Sequence, residues 1–320
     1  MGKACVLAAC VVALGCLPAL AQEAMDLEAA LALFDENGTI QIAYSDDGRA
    51  QLEGMIAAFR AELGVADDLD EASEDAVMAF DLDESLIEVM NRLSQAYYTL
   101  ADAFLEGEDD ERPTYLKGKH WGLKSLRVDA SFDAAEKSDG IAAAVAESEN
   151  LFGLYWGAAN WLRAAQFNPL EAVFAGVPEK TEKMSLRCLE LDPKFTAYGS
   201  YRALAAFWAG LPKLPAGNYR KNWSRSLGYL CHIVDEPEIC ADWNCDICPP
   251  LGEFDPAADE YFENRLFFVE FYLIERGMWA DAKRILDEVL AEEVGDLYPL
   301  YNTIAQEKAL AFLAEVEEHL

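Results

Sequence analysis

The sequence predicts an all-α protein built of stacked antiparallel helix hairpins, a degenerate tetratricopeptide-like bundle or solenoid. Three observations carry this. Apolar residues recur at steps of three and four along nearly every long segment, which lays one hydrophobic stripe down each expected helix. Strand-type alternation is confined to Thr39-Ile40-Gln41-Ile42, read here as an extended connector. Short polar or Pro/Gly breaks separate the stripes, so successive helices are expected to fold back on one another instead of running on as one coiled coil.

Taken in order, residues 1–21 read as a leader. Lys3 precedes an apolar run from Ala4 to Leu17, then Pro18 and the small-x-small triplet Ala19-Leu20-Ala21, the layout of a cleaved export signal. Leu14-Gly15-Cys16 partly resembles a lipobox, so the exported form is expected to be either soluble from Gln22 or lipid-anchored at Cys16. Residues 22–83 form an N-terminal helical segment with an acidic linker, and 84–320 the main helical domain. Leu86, Met90, Leu93, Tyr97, Leu100 and Phe104 predict one long helix. Leu151, Tyr155, Ala158, Leu162 and Ala165 predict another; Phe262, Leu266, Val269 and Leu273 a third; Tyr301, Ala305, Ala309, Phe312 and Val316 the last. The acidic runs Asp67–Asp75 and Glu106–Glu111 lack the spacing of a calcium loop and read as solvated loops or helix starts. Gly277, Ala282, Leu286 and Val289 have the spacing of the turn and second helix of a tetratricopeptide pair, and Leu189-Glu190-Leu191-Asp192-Pro193 that of a repeat's close.

Charge excludes whole classes of function. The 320 residues include 25 basic and 58 acidic side chains, a formal charge of −33. Such a chain repels phosphate backbones, so nucleic-acid binding is not expected, and docking on anionic lipid is disfavoured for the same reason. The only membrane attachment expected is the lipid anchor. Hydrophobic residues at 52% supply ample core, which rules out wholesale disorder.

Five cysteines lie beyond the leader, and export would place them in an oxidising compartment. Cys231, Cys240, Cys245 and Cys248 crowd into the Pro/Gly-rich loop 231–256 and are the disulfide candidates. A zinc site would need four ligands, and only His232 is near enough to complete a Cys3His set. Five is odd, and Cys188, within a helical pattern, is expected to stay unpaired.

Five motifs in order resemble a known family: Tyr155-Trp156-Gly157-Ala158-Ala159-Asn160-Trp161, Arg187-Cys188-Leu189-Glu190-Leu191-Asp192-Pro193, Tyr198-Gly199-Ser200-Tyr201-Arg202-Ala203-Leu204, Pro212-Lys213-Leu214-Pro215-Ala216-Gly217-Asn218 and Asn302-Thr303-Ile304-Ala305-Gln306-Glu307-Lys308-Ala309. Together they resemble the T-component family of tripartite ATP-independent periplasmic (TRAP) transporters, over roughly Leu86 to the C-terminus. Ala216-Gly217-Asn218 departs from that family's Gly-Gly-Asp-like turn, and the Cys240–Cys248 insertion has no counterpart in it. The resemblance implies a periplasmic helical accessory protein that associates with the solute-receptor subunit, and that is the expected partner. Homo-oligomer formation is left open.

No catalytic constellation is legible. His120, His232 and His319 fit no metal or triad spacing, Ser224 and Ser226 lack a nucleophile-elbow context, and no phosphate-binding P-loop occurs. The chain is therefore expected not to be an enzyme and to need no cofactor or metal. The expected site is an aromatic groove of Tyr155, Trp156, Asn160, Trp161, Tyr201, Arg202 and Asn302, which would take the receptor, a small apolar or organic-acid ligand, or both. Trp156 and Trp161 lie about 140° apart on a helix, so one is expected in the core and the other in the groove. Asn160 either bonds a neighbouring helix or faces the groove. Arg202 and Lys308 are scarce bases on apolar helices; each either pairs with a carboxylate or, for Arg202, holds an organic anion. The alternative is a generic tetratricopeptide-like envelope scaffold for another exported protein.

Overall fold

The computed structural model describes residues 24–35, 37–213 and 219–320, and it is helical throughout, with an isolated antiparallel bridge between Phe34 and Ile40 as its strand-like pairing among the described residues. The all-α expectation is met, and Thr39–Ile42 is the connector it was read to be. The leader, with Cys5, Cys10 and Cys16, and Leu214–Asn218 of the proline loop lie outside the described residues.

The helices are α1 (Leu27–Leu31), α2 (Asp46–Glu62), α3 (Glu74–Met78), α4 (Ile87–Phe104), α5 (Glu108–Arg127), α6 (Ala130–Asp139), α7 (Ile141–Ala144) and α8 (Leu151–Gln166). They continue with α9 (Pro169–Phe174), α10 (Val177–Leu191), α11 (Phe195–Gly210), α12 (Trp223–Leu230), α13 (Pro237–Cys240) and α14 (Glu263–Phe268). A π-helix, Val269–Ile274, extends α14, and α15 (Trp279–Ala291) and α16 (Pro299–Glu317) complete the chain. Side-chain caps fix several starts: Ser45 accepts from Gly48 N at 3.1 Å, Asn150 from Gly153 N at 3.0 Å and Asn222 from Arg225 N at 3.1 Å. Glu108, Asp109, Asp110 and Glu111 form the first turn of α5, where carboxylates meet the positive end of the helix dipole, so the second acidic run is a helix start.

The long helices pack mostly on their neighbours in sequence, α4 on α5, α5 on α8, α8 on α10, α10 on α11 and α11 on α12, as stacked hairpins require. The stripe residues Met90, Leu93 and Tyr97 of α4, and Ala305, Ala309 and Val316 of α16, are buried. Residues 24–83 are not a separate unit. Leu52, Met55 and Phe59 of α2 share one core with Met90 and Leu93 of α4 and with Leu300 and Ile304 at the start of α16. The C-terminal half of α16 belongs to a second core with α11, α12, α14 and α15, so this last helix ties both ends of the stack together. Ala282, Leu286 and Val289 are fully buried there, and Gly277 supplies the left-handed turn (φ 69°) that ends the π-helix.

Helices α5 and α8 cross closely through glycines. A Cβ on Gly122 would lie 2.7 Å from the Cα of Gly157, one on Gly118 would lie 2.3 Å from Asn160 Oδ1, and one on Gly153 would lie 2.5 Å from Ser125 Oγ. These three rungs, read along antiparallel helices, make a seam in which backbone meets backbone at the centre and a glycine receives a small polar side chain on either side. The seam accounts for Asn160, which is fully buried and donates Nδ2 to the carbonyls of Ser94 (3.1 Å) and Trp156 (2.8 Å). Of the two readings open for Asn160, the bond to a neighbouring helix is the one realised.

The first acidic run departs from the solvated reading at two positions. Glu71 is buried, accepting from Tyr97 OH at 2.9 Å and Trp121 Nε1 at 2.6 Å, with Arg60 Nε 2.9 Å away. Glu74 meets Lys119 Nζ at 2.8 Å and Arg127 at 2.9 Å. Burial raises the Glu74 pKa, but hydrogen bonds and charge from Lys119 and Arg127 outweigh it and bring it down to about 2. Each serves to bind the 67–78 segment to α5, because a carboxylate taken out of water must be met by donors.

Cys231 pairs with Cys240 and Cys245 with Cys248, a connectivity the sequence left open, while Cys188 is a buried free thiol, as expected. Closing the Cys231–Cys240 loop is worth roughly 2–3 kcal/mol by loop entropy. Denaturing, non-reducing titration of the chain from residue 24 onward should therefore count a single thiol. A count of five would mean that the loop is reduced.

Candidate functional site

A cavity of about 310 Å³ runs between α8 and α11, closed by α9 and α10 at one end, by α4 and the start of α16 at the other, and flanked by α14 with its π-helix. Tyr155 abuts Gly199 near the start of α8 and α11, since a Cβ on Gly199 would fall 2.2 Å from the tyrosine oxygen. Both helices thus leave the same end of the cavity. The starting end carries Tyr98, Trp156, Thr196, Arg202, Tyr261 and Tyr301. Further along, the wall is made by Leu162, Val173, Val177, Phe207, Phe267 and Phe271, with Arg163 and Gln166 of α8 and Asp102 of α4 set among them. The lining is mixed, with apolar side chains interrupted by buried polar ones.

A network of buried charge runs along the cavity wall. Asp102 of α4 binds Arg163 of α8 and is approached by Tyr115 OH at 3.4 Å. Burial pushes the Asp102 carboxyl up, but the Arg163 and Lys308 charges outweigh it and hold it below the ordinary value. Lys308 of α16 reaches Glu263 of α14 at 2.8 Å, so its expected ion pair is present. Glu270, on the π-helix, is pushed up to about 7: burial drives it, Arg163 and Lys308 pull it down, and the nearby Glu263 and Asp102 charges push the same way as burial.

Arg202 is different. It is 6% exposed, and its guanidinium donates to the carbonyls of Thr196 (2.8 Å) and Ala197 and to Asn264 Oδ1 (2.6 Å), with the Tyr261 ring 4.4 Å from Cζ. No carboxylate lies within 4.0 Å of it among the described residues. Burial would lower its basicity, but Tyr261, Tyr155 and Glu263 around it outweigh that and keep it charged. The carbonyls that hold it come from an unusual turn: Thr196, Ala197 and Tyr198 have φ of 48°, 50° and 65°, three successive non-glycine residues in the left-handed region. Each costs about 1–2 kcal/mol in an L-amino-acid chain. Nearby, Trp156 is 5% exposed and its Nε1–H, like Thr196 Oγ1, is buried without a partner. This part of the wall therefore offers a fixed cation and an unused donor.

Of the residues predicted for the groove, Tyr155, Trp156 and Arg202 come together on the cavity wall. The other four do not line it. Asn160 sits in the glycine seam. Trp161 is half-buried outside, with Lys119 and Lys180 over its ring at 4.7 and 5.3 Å. Tyr201 turns to the opposite face of α11 and stacks on His232, ring centres 4.6 Å apart. Asn302 is a structural bracket, accepting from Phe262 N at 3.1 Å and donating to the Glu260 and Val294 carbonyls at 3.0 Å. The 140° separation of the tryptophans is realised with their places set by packing: Trp156 faces the cavity and Trp161 two lysines.

The sequence reading missed Asp102, Arg163 and Glu263. Arg163 stood out by the criterion that singled out Arg202, a lone base in the apolar run Leu151–Gln166. Asp102 and Glu263 carried no comparable signal among 58 carboxylates.

Fold and site define an all-α helical protein with an internal cavity of mixed lining, in which Arg202 is a buried cation without a carboxylate partner among the described residues. No family model matches the chain, and no curated protein matches it either.

Proposed function

We propose that this chain is a non-enzymatic periplasmic accessory protein of a TRAP-type solute uptake system, tetratricopeptide-like in build, which docks on the solute-receptor subunit and holds a small organic acid in its cavity. Arg202 is the observation that carries the ligand half of this reading. The buried guanidinium has no carboxylate within 4.0 Å among the described residues, so an organic acid would find a charge partner there, meeting Arg202 and the Trp156 N–H and laying an apolar body against Phe267 and Phe271. The receptor half rests on the five ordered motifs and on the rim of the cavity. Leu170 and Phe174, 72% and 89% exposed, both lie on α9, whose Ala172 and Val173 line the void. Two such side chains on one short helix form the apolar centre that an interface needs, on the outer face of an element whose inner face lines the cavity. Docking is therefore assigned to α9, since Asn160 and Arg202 lie inside the molecule.

The test is co-purification of the full chain from native envelope with identification of the bound protein. The parent should retain a periplasmic solute receptor. The variant Leu170→Asp/Phe174→Asp should melt like the parent and retain at least tenfold less of it. If the parent captures no receptor, the transporter reading fails. If it does and the variant matches it, α9 is not the docking element.

A further inference from the structure

A second pocket, of about 520 Å³, lies apart from the cavity just described, walled by the first turn of α12 and by the chain before and after it. It holds an unusual concentration for this protein. Lys213, Arg220, Lys221 and Arg276 line it, against the single carboxylate of Asp242. In a chain with more than two acidic residues for each basic one, most bases sit beside a carboxylate, as Arg127, Arg265 and Arg284 do. Lys213, Arg220 and Arg276 make no ion pair among the described residues, and they arrive from separate stretches of chain, after α11, before α12 and after the π-helix. Lys221 is held in place, its Nζ 3.5 Å from Glu275 and 4.6 Å from the Trp223 ring centre. Lys221 N bonds Pro212 O at 2.9 Å and Asn222 N bonds Trp208 O at 3.0 Å, so the segment that carries Arg220 and Lys221 is anchored to the end of α11.

We propose that this pocket binds the phosphate group of a small soluble phosphomonoester. The lining has four positive charges against one negative, and with Glu275 beside Lys221 the local balance is four against two, which suits a dianion better than a monocarboxylate; a phosphomonoester carries between about one and a half and two negative charges at neutral pH. Bases from the α11–α12 connection and from Arg276 beyond the π-helix suit a group with three acceptor oxygens, and two guanidinium forks can each engage two of them. The Ser224 hydroxyl, on the same wall, adds a donor. The chain's overall charge of −33 does not forbid this, because at physiological salt charges more than about 8 Å away are largely screened and the four local bases decide the encounter. That same overall charge opposes a flat anionic membrane, which would bring many phosphates against the acidic remainder of the surface, so the phosphate is assigned to a soluble molecule.

The experiment is calorimetric titration of the full chain with glycerol 3-phosphate, inorganic phosphate, succinate and glycerol, followed by co-sedimentation with phosphatidylcholine vesicles containing one-fifth phosphatidic acid. Glycerol 3-phosphate should bind saturably and at least tenfold more tightly than succinate, with glycerol silent, and inorganic phosphate should compete with it. Arg220→Ala and Arg276→Ala should each weaken binding at least tenfold without lowering the melting temperature, and Arg276→Lys should recover part of the loss. If one variant fails to fold, the other carries the test. Equal binding of succinate would overturn the phosphate assignment. Unchanged binding in both folded variants would place the ligand elsewhere, and sedimentation with vesicles without binding of the soluble ester would replace it with a lipid headgroup.

Discussion

Arg163→Met is expected to destabilise the protein by roughly 3–5 kcal/mol at neutral pH, because it strips the partner from a buried carboxylate. Asp102 is 4% exposed, and apart from Arg163 only Tyr115, at 3.4 Å, and the more distant Lys308 act on it. The effect has a pH signature. In the parent, a carboxyl held below its ordinary value contributes stability above its unfolded pKa and loses it as pH falls through the folded value. In the variant, burial acts on Asp102 with Arg163 gone, its pKa rises, and protonation removes the buried charge. The gap between parent and variant should therefore be widest near pH 7 and close towards acid. Urea unfolding at several pH values reads this directly. The double variant Arg163→Met/Asp102→Asn should be more stable at pH 7 than Arg163→Met alone; if it is less stable, the buried charge is not the source of the loss.

Glu270→Gln should act in the opposite direction, stabilising the fold at alkaline pH by about 3 kcal/mol, the free energy of a carboxyl moved from its ordinary value to about 7. A raised carboxyl favours the folded state while both states are protonated. The unfolded chain ionises first as pH rises, so stability falls from the ordinary carboxylate pKa up to about 7 and is flat above it. The amide of the variant cannot ionise, so that fall should vanish. Thermal melts between pH 4 and 9 should thus show parent and variant converging towards pH 4 and separated above pH 7. Parallel curves across the range would mean that Glu270 is already solvated.

The fold was legible because it depends on periodicity, and periodicity survives in every long helix. The stripes from Met90 to Phe104, Leu151 to Ala165 and Tyr301 to Val316 fall on α4, α8 and α16. The pairing of the loop cysteines, with Cys188 left over, was legible to the extent that composition and parity settle it. The site was half legible. Helical spacing said that Trp156 and Trp161 diverge, but which one meets the void depends on α11 and on Lys119 and Lys180, residues no local window contains. Asn160 was misplaced in the groove because the feature that claims it, Gly118 on an earlier helix, is visible only once α5 and α8 are laid together. Glu71 hid in plain composition: a carboxylate among carboxylates, distinguished solely by a tryptophan and a tyrosine arriving from elsewhere.

The seam of Gly118, Gly122, Gly153 and Gly157 divides the cavity's surroundings into two mechanical kinds. Where glycines let two helices approach this closely, a larger side chain brought into register with them would collide, so α8 is clasped in a single register that sets Tyr155, Trp156 and Arg163 on the cavity wall. The opposing side carries Phe267 and Phe271 across the change from α14 into a π-turn, where a hydrogen bond reaches one residue further than in an α-helix and the pitch is not unique. A ligand of the kind proposed would therefore be expected to displace the phenylalanine side and leave the α8 side in place.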